Sequence, residues 1–294
     1  MPSRSINDLV QSKLFISLCI GLCIVVAAGV AINVVPDRQG SAIVPANVHD
    51  CNVTPVAGTT SAPATEIRAW PGWKPALVDD FNRCVLGPNW SSYSGKPGGN
   101  PNSEWSPSMV SVSGGMLHLS AQQQNGKWFT GGVANIGNAQ SYGRWDVRFR
   151  IPASDEISFH MLLWPKDNVW PPEIDFLEST DGTRRSASSA LHYRNADGSQ
   201  GKIMKSVLGD FTNWNIATVE WGPGAIRLSL NGKPWQVIQD KRVPSVPMWL
   251  AMQIESGACQ RNKEWGLSPC PRAGTPHELA MDVDWVTVYK PSWT

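Results

Sequence analysis

The hydrophobic and polar positions divide this chain into three parts. Residues 14–35 are almost uninterruptedly apolar, and residues 36–69 are rich in Pro, Ala, Thr, Ser and Val with little periodicity. From residue 70 onward, short apolar–polar alternations are separated by clusters of Gly, Pro, Asn and Asp, without a long helical period. This pattern predicts many short strands, so we expect an all-β domain over residues 70–294, a sandwich or a barrel, after a linker over residues 36–69.

Two segments show the strand pattern most clearly. Residues 145–151 place Trp, Val, Phe and Ile on one face and Asp and Arg on the other. Residues 226–230 alternate in the same way and lead into Asn231–Gly232, a pair typical of a tight hairpin turn.

The apolar run over residues 14–35 has two interpretations. It is long enough for a transmembrane helix, and the basic residues Arg4 and Lys13 before it favour a cytoplasmic N-terminus over residues 1–13. A cleaved signal peptide is the alternative, with small residues at 29–31 as a cleavage site. Both interpretations place the β domain outside the cytoplasm, either anchored to a membrane or secreted.

The cysteines agree with an exported domain. Cys19 and Cys23 lie in the apolar run, where they are small hydrophobic residues. The others are Cys51, Cys84, Cys259 and Cys270, an even number that suits an oxidising compartment. Cys259 and Cys270 flank a short polar loop, so we expect them to pair, which leaves Cys51 with Cys84. Their spacings match no common zinc site.

Charge and composition narrow the function classes only a little. A formal net charge of +1 gives no electrostatic reason to expect a nucleic acid as a partner. The fifteen tryptophans are unusual. Most of them are expected in the core, and a few would serve as flat platforms for sugar rings.

Three carboxylates stand close together in the otherwise apolar segment 171–178. In a regular strand Glu173 and Asp175 share one face, while Glu178 points to the other. A β-bulge between Asp175 and Glu178 would return Glu178 to the face of Glu173. Two glutamates on one wall suit the hydrolysis of a glycosidic bond. An acidic surface strand is the alternative, which the Trp-Pro pairs at 164–165 and 170–171 disfavour.

Together these motifs resemble the family 16 glycoside hydrolases, on the side of the laminarinases, agarases and carrageenases. The resemblance includes the Glu-x-Asp-x-x-Glu strand and continues at residues 142–150, 219–221, 231–235 and 281–289, in the order of the family. It covers residues 70–290 and implies a jelly-roll sandwich of two antiparallel sheets with a substrate cleft.

The resemblance also implies the roles of residues. Glu173 would be the nucleophile, Glu178 the general acid/base, and Asp175 a hydrogen-bonding assistant to Glu173. His192, Glu104 and Trp105 match cleft positions of the family and would bind substrate, although a structural hydrogen-bonding role is the alternative for His192. Trp164 and Trp170 lie within a few residues of the carboxylate strand, so we expect them to stack on sugar rings, with core packing as the alternative. The implied activity is that of a retaining, endo-acting hydrolase of a β-linked polysaccharide, of the β-glucan type first, which acts as a monomer without a catalytic cofactor or metal. A structural calcium site is left open.

Two other functions fit the same sequence. A non-catalytic, lectin-like protein could share the fold, but such a protein has no need of the three carboxylates. A transglycosylase would use the same carboxylates and differ only in the acceptor. The segment 252–259 departs from the Gly-rich segment of many β-1,3-glucan hydrolases, so we expect the loop from Cys259 to Cys270 to reshape one end of the cleft.

Overall fold

We describe the protein from a computed structural model, which covers residues 33–35, 72–98, 100–267 and 270–293. The predicted cytoplasmic segment 1–13 and the linker 36–69 lie outside these residues, as does most of the apolar run. Within the described residues, no helix has both the length and the apolar character needed to cross a membrane.

The described residues form strands, one α-helix and two short 3₁₀ turns at Pro107–Met109 and Ile136–Asn138. The elements in chain order are β1 Asn33–Val35, β2 Trp73–Asp79, β3 Ser91–Ser94, β4 Val110–Ser113, β5 Met116–Gln124, β6 Lys127–Thr130, β7 Gly132–Ala134, β8 Gly143–Arg150, β9 Ser158–Pro165, β10 Glu173–Ser179, β11 Ser186–Arg194, β12 Gln200–Leu208, β13 Asn215–Gly222, β14 Ala225–Leu230, β15 Lys233–Gln239, β16 Met248–Glu255, α1 Ala258–Glu264 and β17 Glu278–Pro291.

The strands make two antiparallel sheets that share one core. The eight-stranded sheet has the order β1-β3-β7-β16-β9-β10-β11-β12. The nine-stranded sheet has the order β15-β14-β13-β8-β17-β5-β4, with β2 paired to β17 and β6 paired to β5. Side chains of both sheets meet in a single apolar cluster, for example Phe149 of β8 against Phe159 of β9. The all-β prediction is confirmed, and of its two alternatives the sandwich is the one observed.

The strand patterns account for the way the sheets face each other. Trp145, Val147 and Phe149 of β8 are fully buried in the core, while the polar residues that alternate with them point to the opposite side. We call that opposite side, which carries Arg144, Arg148 and Arg150, the arginine face. The β14–β15 hairpin turns at Asn231–Gly232, where both residues have positive φ values of 52° and 76°, as a two-residue turn of this kind requires.

The N-terminal prediction needs one correction. Asn33–Val35 were expected to end an apolar helix over residues 14–35, but they form β1 and pair with Ser92–Ser94 of β3. The physical reason is that consecutive β-branched valines favour extended backbone, and the edge of the sheet offers them hydrogen-bonding partners. The rest of the apolar run lies outside the described residues, so its two interpretations stay predictions.

A disulfide joins Cys259 in α1 to Cys270 with a Cα–Cα distance of 5.7 Å, which confirms the predicted pair. The chain after Cys270 is also held by Asp155, whose Oδ2 accepts the backbone N–H groups of Arg272, Ala273 and Gly274. Cys84 is disulfide-bonded as well. Its predicted partner Cys51 lies outside the described residues, so that pair stays a prediction.

Candidate active site

The carboxylate strand β10 contains the predicted bulge. Its register with β9 slips by one residue between Asp175, opposite Leu162, and Leu177, opposite Met161. The register with β11 slips over the same stretch. Because of the extra residue, Phe176 and Leu177 both enter the core, and Glu178 returns to the side of Asp175.

The bulge gathers charged groups on the face of the eight-stranded sheet that points away from the core, here called the site face. Glu173 stands directly opposite His192 of β11, and Glu178 stands directly opposite His160 of β9. The charges of Asp175 and Glu178 shift the pKa of Glu173, and the charge of Glu178 shifts the pKa of Asp175, so the three groups lie close together. The three predicted catalytic carboxyls therefore converge on one side of a single strand.

Glu173 is held by an indole and perturbed by its neighbours. The Nε1–H of Trp170 donates to Oε2 of Glu173 at 2.7 Å. Burial raises the pKa of Glu173 well above its usual value, and the charges of Asp175 and Glu178 add to the rise, against a smaller opposing effect of His192 and Trp170. A proton is therefore retained near Glu173 at pH values where a free glutamate has lost it.

Asp175 is the most deeply buried of the three carboxyls, at 3% exposure. Its Oδ2 lies 3.1 Å from Nε2 of His192, and it shares a hydrogen bond with Glu173. Burial and the charge of Glu178 raise the pKa of Asp175 well above its usual value. Two carboxyls in contact ionise as a pair, so one proton shared by Glu173 and Asp175 explains both shifts. The more exposed Glu173 then carries the negative charge.

Glu178 has the opposite electrostatic environment. Its Oε1 lies 2.5 Å from Nδ1 of His160, and its side chain is 25% exposed. Burial raises the pKa of Glu178, but the charge and hydrogen bond of His160, together with the charges of His192 and Arg261, outweigh it and hold the pKa below the usual value. The two glutamates therefore lie in different electrostatic environments, Glu173 beside two carboxylates and Glu178 beside two histidines and an arginine.

His160 is a site residue that the sequence reasoning missed. It is 8% exposed, and besides Glu178 it contacts Ser158, whose Oγ lies 2.9 Å from its Nε2. Ser158 in turn binds Arg261 of α1, and Arg261 pairs with the buried carboxylate of Glu255 at 2.9 Å. The available signal was weak, since a histidine in an apolar strand is more often structural than functional.

Of the two tryptophans predicted to stack on sugar rings, Trp170 adjoins a carboxylate. Trp170 contacts Glu173 as described, and its ring centroid lies 5.6 Å from that of His192. Trp164 of β9 stands beside Trp249 of β16 across the sheet, and its Nε1 donates to Asn168 at 3.0 Å. Both indoles are partly exposed, as a stacking platform must be. Their binding roles, like that of His192, stay predictions.

Trp105 lies farther along the site face, and Glu104 precedes it in the chain. Glu104 forms an ion pair with Lys127. Trp105 is only 4% exposed and packs against Tyr93, with ring centroids 4.7 Å apart. In this conformation Trp105 offers no open face to a sugar and serves as part of a small apolar cluster with Leu162 and Trp249. Its role in binding stays a prediction.

The site also offers a possible cation position. The ligand atoms of Glu173, Asp175 and His192 lie within 4.8 Å of one another. Each of these groups is already engaged with the others or with Trp170, and a shared proton accounts for the electrostatics. We therefore assign the cluster to acid–base chemistry. The prediction that catalysis needs no metal or cofactor stays a prediction.

A separate pocket of about 500 Å³ lies beside α1. It is lined by Lys127, Trp128, Gly257 and Gln260, among others, and contains none of the three carboxylates. Of the disulfide-closed loop, Gln260 contributes to this lining. The expectation that the loop reshapes one end of the cleft stays a prediction.

Comparisons with known proteins agree with this geometry. The model of the glycosyl hydrolases family 16 matches residues 98–286. An endo-1,3-1,4-beta-glycanase, ExsH, of Rhizobium meliloti (strain 1021) is 24% identical over 203 residues, 65% of this chain and 42% of that protein. A glucan endo-1,3-beta-glucosidase A1 of Niallia circulans is 25% identical over 175 residues, 51% of this chain and 24% of that protein. The chain thus spans less than half the length of either relative.

Solved structures show the same fold. The laminarinase catalytic domain of Thermotoga maritima MSB8 superposes with a TM-score of 0.62 at 19% identity, over 74% of this chain and 98% of that one. The endo-beta-1,3-glucanase of Pyrococcus furiosus gives a TM-score of 0.62 at 18% identity, over 74% of this chain and 95% of that one. Because the family match extends over more than half of its length, this chain belongs to the glycosyl hydrolases family 16.

Proposed function

We propose that this protein is a retaining, endo-acting hydrolase of β-linked glucans. The observation that carries the proposal is the bulged strand β10, which turns Glu173, Asp175 and Glu178 to one face. The names of two relatives, an endo-1,3-1,4-beta-glycanase and a glucan endo-1,3-beta-glucosidase, support the β-glucan substrate.

In the first step, Glu173 attacks the anomeric carbon and the glycosidic C–O bond breaks. The Nε1–H of Trp170 and a proton on Asp175 hold and orient the attacking carboxylate. Glu178 protonates the departing oxygen, so the leaving chain departs as a neutral alcohol. The product of this step is a glycosyl ester of Glu173.

In the second step, water replaces the leaving chain. Glu178, now a carboxylate, takes a proton from the water while the water oxygen attacks the anomeric carbon and the ester bond to Glu173 breaks. Two inversions at the same carbon restore the original configuration. Asp175 keeps its proton throughout and limits the charge that accumulates beside Glu173.

The substrate and stereochemistry can be tested together. The purified chain is incubated with a β-1,3-glucan, a mixed-linkage β-1,3-1,4-glucan and a galactan, and the products are followed by chromatography and by proton NMR of the anomeric signals. We expect oligosaccharides from the glucans, with the β-anomer formed first. An α-anomer formed first would contradict the retaining mechanism.

Variants distinguish an enzyme from a binding protein. Glu178→Gln should lower the rate on natural glucans by about 10³-fold or more while leaving the fold intact, because the leaving oxygen loses its acid. Asp197→Asn, at an exposed carboxylate between β11 and β12, is the matched control and should retain full activity. Glucan binding without cleavage by the unmodified chain would favour the lectin-like alternative. Products longer than the substrate would favour transglycosylation.

We also propose that the domain works outside the cytoplasm. The Cys259–Cys270 disulfide supports an oxidising compartment, since such bonds are rare where glutathione keeps thiols reduced. Accessibility of the expressed chain to an added protease in intact cells tests this placement.

A further inference from the structure

The acid/base candidate Glu178 belongs to a longer chain of hydrogen bonds that the family assignment does not explain. Oε1 of Glu178 contacts Nδ1 of His160 at 2.5 Å, and Nε2 of His160 contacts Oγ of Ser158 at 2.9 Å. Ser158 also binds Arg261 and lies 3.1 Å from the backbone carbonyl of Glu255. Both ring nitrogens of a buried histidine are therefore occupied.

The serine decides which nitrogen of His160 carries a proton. Arg261 can only donate to Ser158, and the carbonyl of Glu255 can only accept. Since a serine has one proton, it must give that proton to the carbonyl if all contacts are hydrogen bonds. Ser158 then accepts from Nε2 of His160, so Nε2 is protonated.

With Nε2 protonated, the short contact on the other side of the ring needs a further proton. Two bare lone pairs, one on Nδ1 of His160 and one on Oε1 of Glu178, would repel each other at 2.5 Å. A proton must lie between them, either as imidazolium beside carboxylate or as neutral imidazole beside carboxylic acid. The pair holds this one proton in both forms.

We propose that His160 is a positioning residue that shares with Glu178 the proton used to release the leaving sugar. This inference rests on the proposed glycosidase function and concerns the same site. When the glycosidic bond breaks, the proton between His160 and Glu178 passes from the carboxyl to the departing oxygen. Neutral His160 and ionised Glu178 remain, and the repulsion between their lone pairs favours uptake of the proton from the incoming water, which restores the pair, so the cycle balances.

The surroundings keep the shared proton in place. The charged and titratable groups around the pair are Glu173 and Asp175 from β10, His192 from β11, Lys202 from β12, Glu255 from β16 and Arg261 from α1. Glu255 is buried next to His160 and remains ionised. Burial raises its pKa, but His160, Arg261 and Asn100 more than offset this. A negative Glu255 favours a proton on the imidazole side of the pair.

Further hydrogen bonds and a disulfide support the hydrogen-bonded series from Glu178 to Arg261. Glu255 accepts from Asn100 at 2.7 Å and from Gln253 at 2.8 Å, in addition to Arg261. Arg261 itself lies in α1, which the Cys259–Cys270 disulfide ties down. Such a supported pair can hold its hydrogen-bond geometry while substrate and products exchange.

The pH profile of kcat/KM tests the proton sharing. His160→Asn places an amide donor near Glu178 but supplies no titratable group. Free imidazole binds its proton more tightly than a free carboxylate by about two pKa units, so the basic limb should move to lower pH by about one to two units. The matched control is His118→Asn, which removes a histidine with serine and aspartate partners on the arginine face and should leave the profile unchanged. An unshifted basic limb in a folded, active His160→Asn variant would overturn the proposal.

NMR of the ¹⁵N-labelled imidazoles tests the proton sharing between His160 and Glu178 without relying on activity. A failure of this inference can therefore be told apart from a failure of the proposed glycosidase function. The full chain is titrated, and the His160 signal is assigned from the spectrum of the His160→Asn variant. We expect a protonated Nε2 at every pH and a titration midpoint that falls when Glu178→Gln removes the carboxylate. A neutral ring protonated only at Nδ1 near neutral pH would overturn the proposal, whether or not the chain hydrolyses a glucan.

Discussion

Two faces of the sandwich each carry a histidine that is hydrogen-bonded between a serine and a carboxylate, but the electrostatic environments of the two networks differ. On the arginine face, Nδ1 of His118 lies 2.9 Å from Asp282 and its Nε2 lies 3.1 Å from Oγ of Ser113. On the site face, His160 stands in the same way between a serine and Glu178. The difference lies in the neighbours of each carboxylate.

On the arginine face the acidic groups lie next to arginines. Asp282 pairs with Arg150 as well as with His118, and these groups outweigh the effect of burial and hold its pKa below the usual value. Asp284 pairs with Arg148 in the same way. Glu220 is an exception, since burial raises its pKa in spite of Arg144.

On the site face, Glu173 and Asp175 make no ion pair with a lysine or arginine in the described structure, and each has a carboxylate as a neighbour. Burying such groups is unfavourable for stability. The contrast indicates that the arginine face is optimised for stability, whereas the site face retains unfavourable charges that chemistry can use.

The largest effect should come from removing the nucleophile. Glu173→Ala should lower the hydrolysis of glucans by about 10³-fold or more, because the step that forms the glycosyl ester is lost. A small anion such as azide should fit the vacated position and restore turnover of an activated aryl glycoside, with a product of inverted configuration. Substantial hydrolysis of glucan by the folded variant, without added anion, would refute the role of Glu173.

The role of the bulge can be tested by inserting one residue or by deleting one. With the bulge retained, one alanine inserted after Leu177 should turn Glu178 into the core, abolish activity and destabilise the fold by about 1–3 kcal/mol, because a carboxyl loses its partners. Deleting Leu177 should instead leave a regular alternation with Glu178 still on the site face. Hydrolysis and urea unfolding of both variants provide the measurement, and an active insertion variant would contradict the bulge argument.

Asp175→Asn should change activity and stability in opposite directions. We expect a loss of about 10- to 100-fold in kcat, since an amide supports Glu173 less well than a carboxyl. The same change should stabilise the fold at neutral pH by about 1 kcal/mol, because it removes a buried group that resists ionisation. Urea unfolding and kinetics on one preparation measure both, and a loss of stability at neutral pH would contradict the raised pKa of Asp175.

The smallest effect is expected on the arginine face. Asp282→Asn should cost about 1–2 kcal/mol of stability, since hydrogen bonds to a charged group are lost, and should leave kcat/KM unchanged. A lower kcat/KM at full folding would mean that the two faces are coupled.

The pH dependence of unfolding sharpens this contrast. The pKa of Asp282 is lower in the folded protein than in the unfolded chain. Its ionised carboxylate therefore stabilises the fold at pH values above the unfolded pKa, and this stabilisation is lost as the pH falls through the folded pKa. Because the pKa of Asp175 is raised, stability instead declines as the pH rises from the unfolded pKa towards the folded one. Asp282→Asn should therefore flatten the acid side of the stability curve, and Asp175→Asn should flatten the decline at higher pH.

The sequence by itself determined the all-β class, the carboxylate strand, its bulge and the Cys259–Cys270 bond, and the tertiary structure decided between sandwich and barrel. These features depend on local properties, namely the period of two along a strand, the spacing of Asp175 and Glu178, and two cysteines close in the chain. The same kind of reasoning was wrong for Asn33–Val35, where an apolar composition suits a strand at a sheet edge as well as a helix.

Only the tertiary structure decided the partner of Glu178. In a regular antiparallel register with β9, the residue opposite His160 would be Leu177, and the bulge replaces it with Glu178. Arg261 reaches Ser158 from a helix 103 positions away along the chain. Which side chains meet across strands depends on register and on loop placement, and these are set by the packing of the whole sandwich, so no local pattern could have placed His160 beside the acid/base carboxylate.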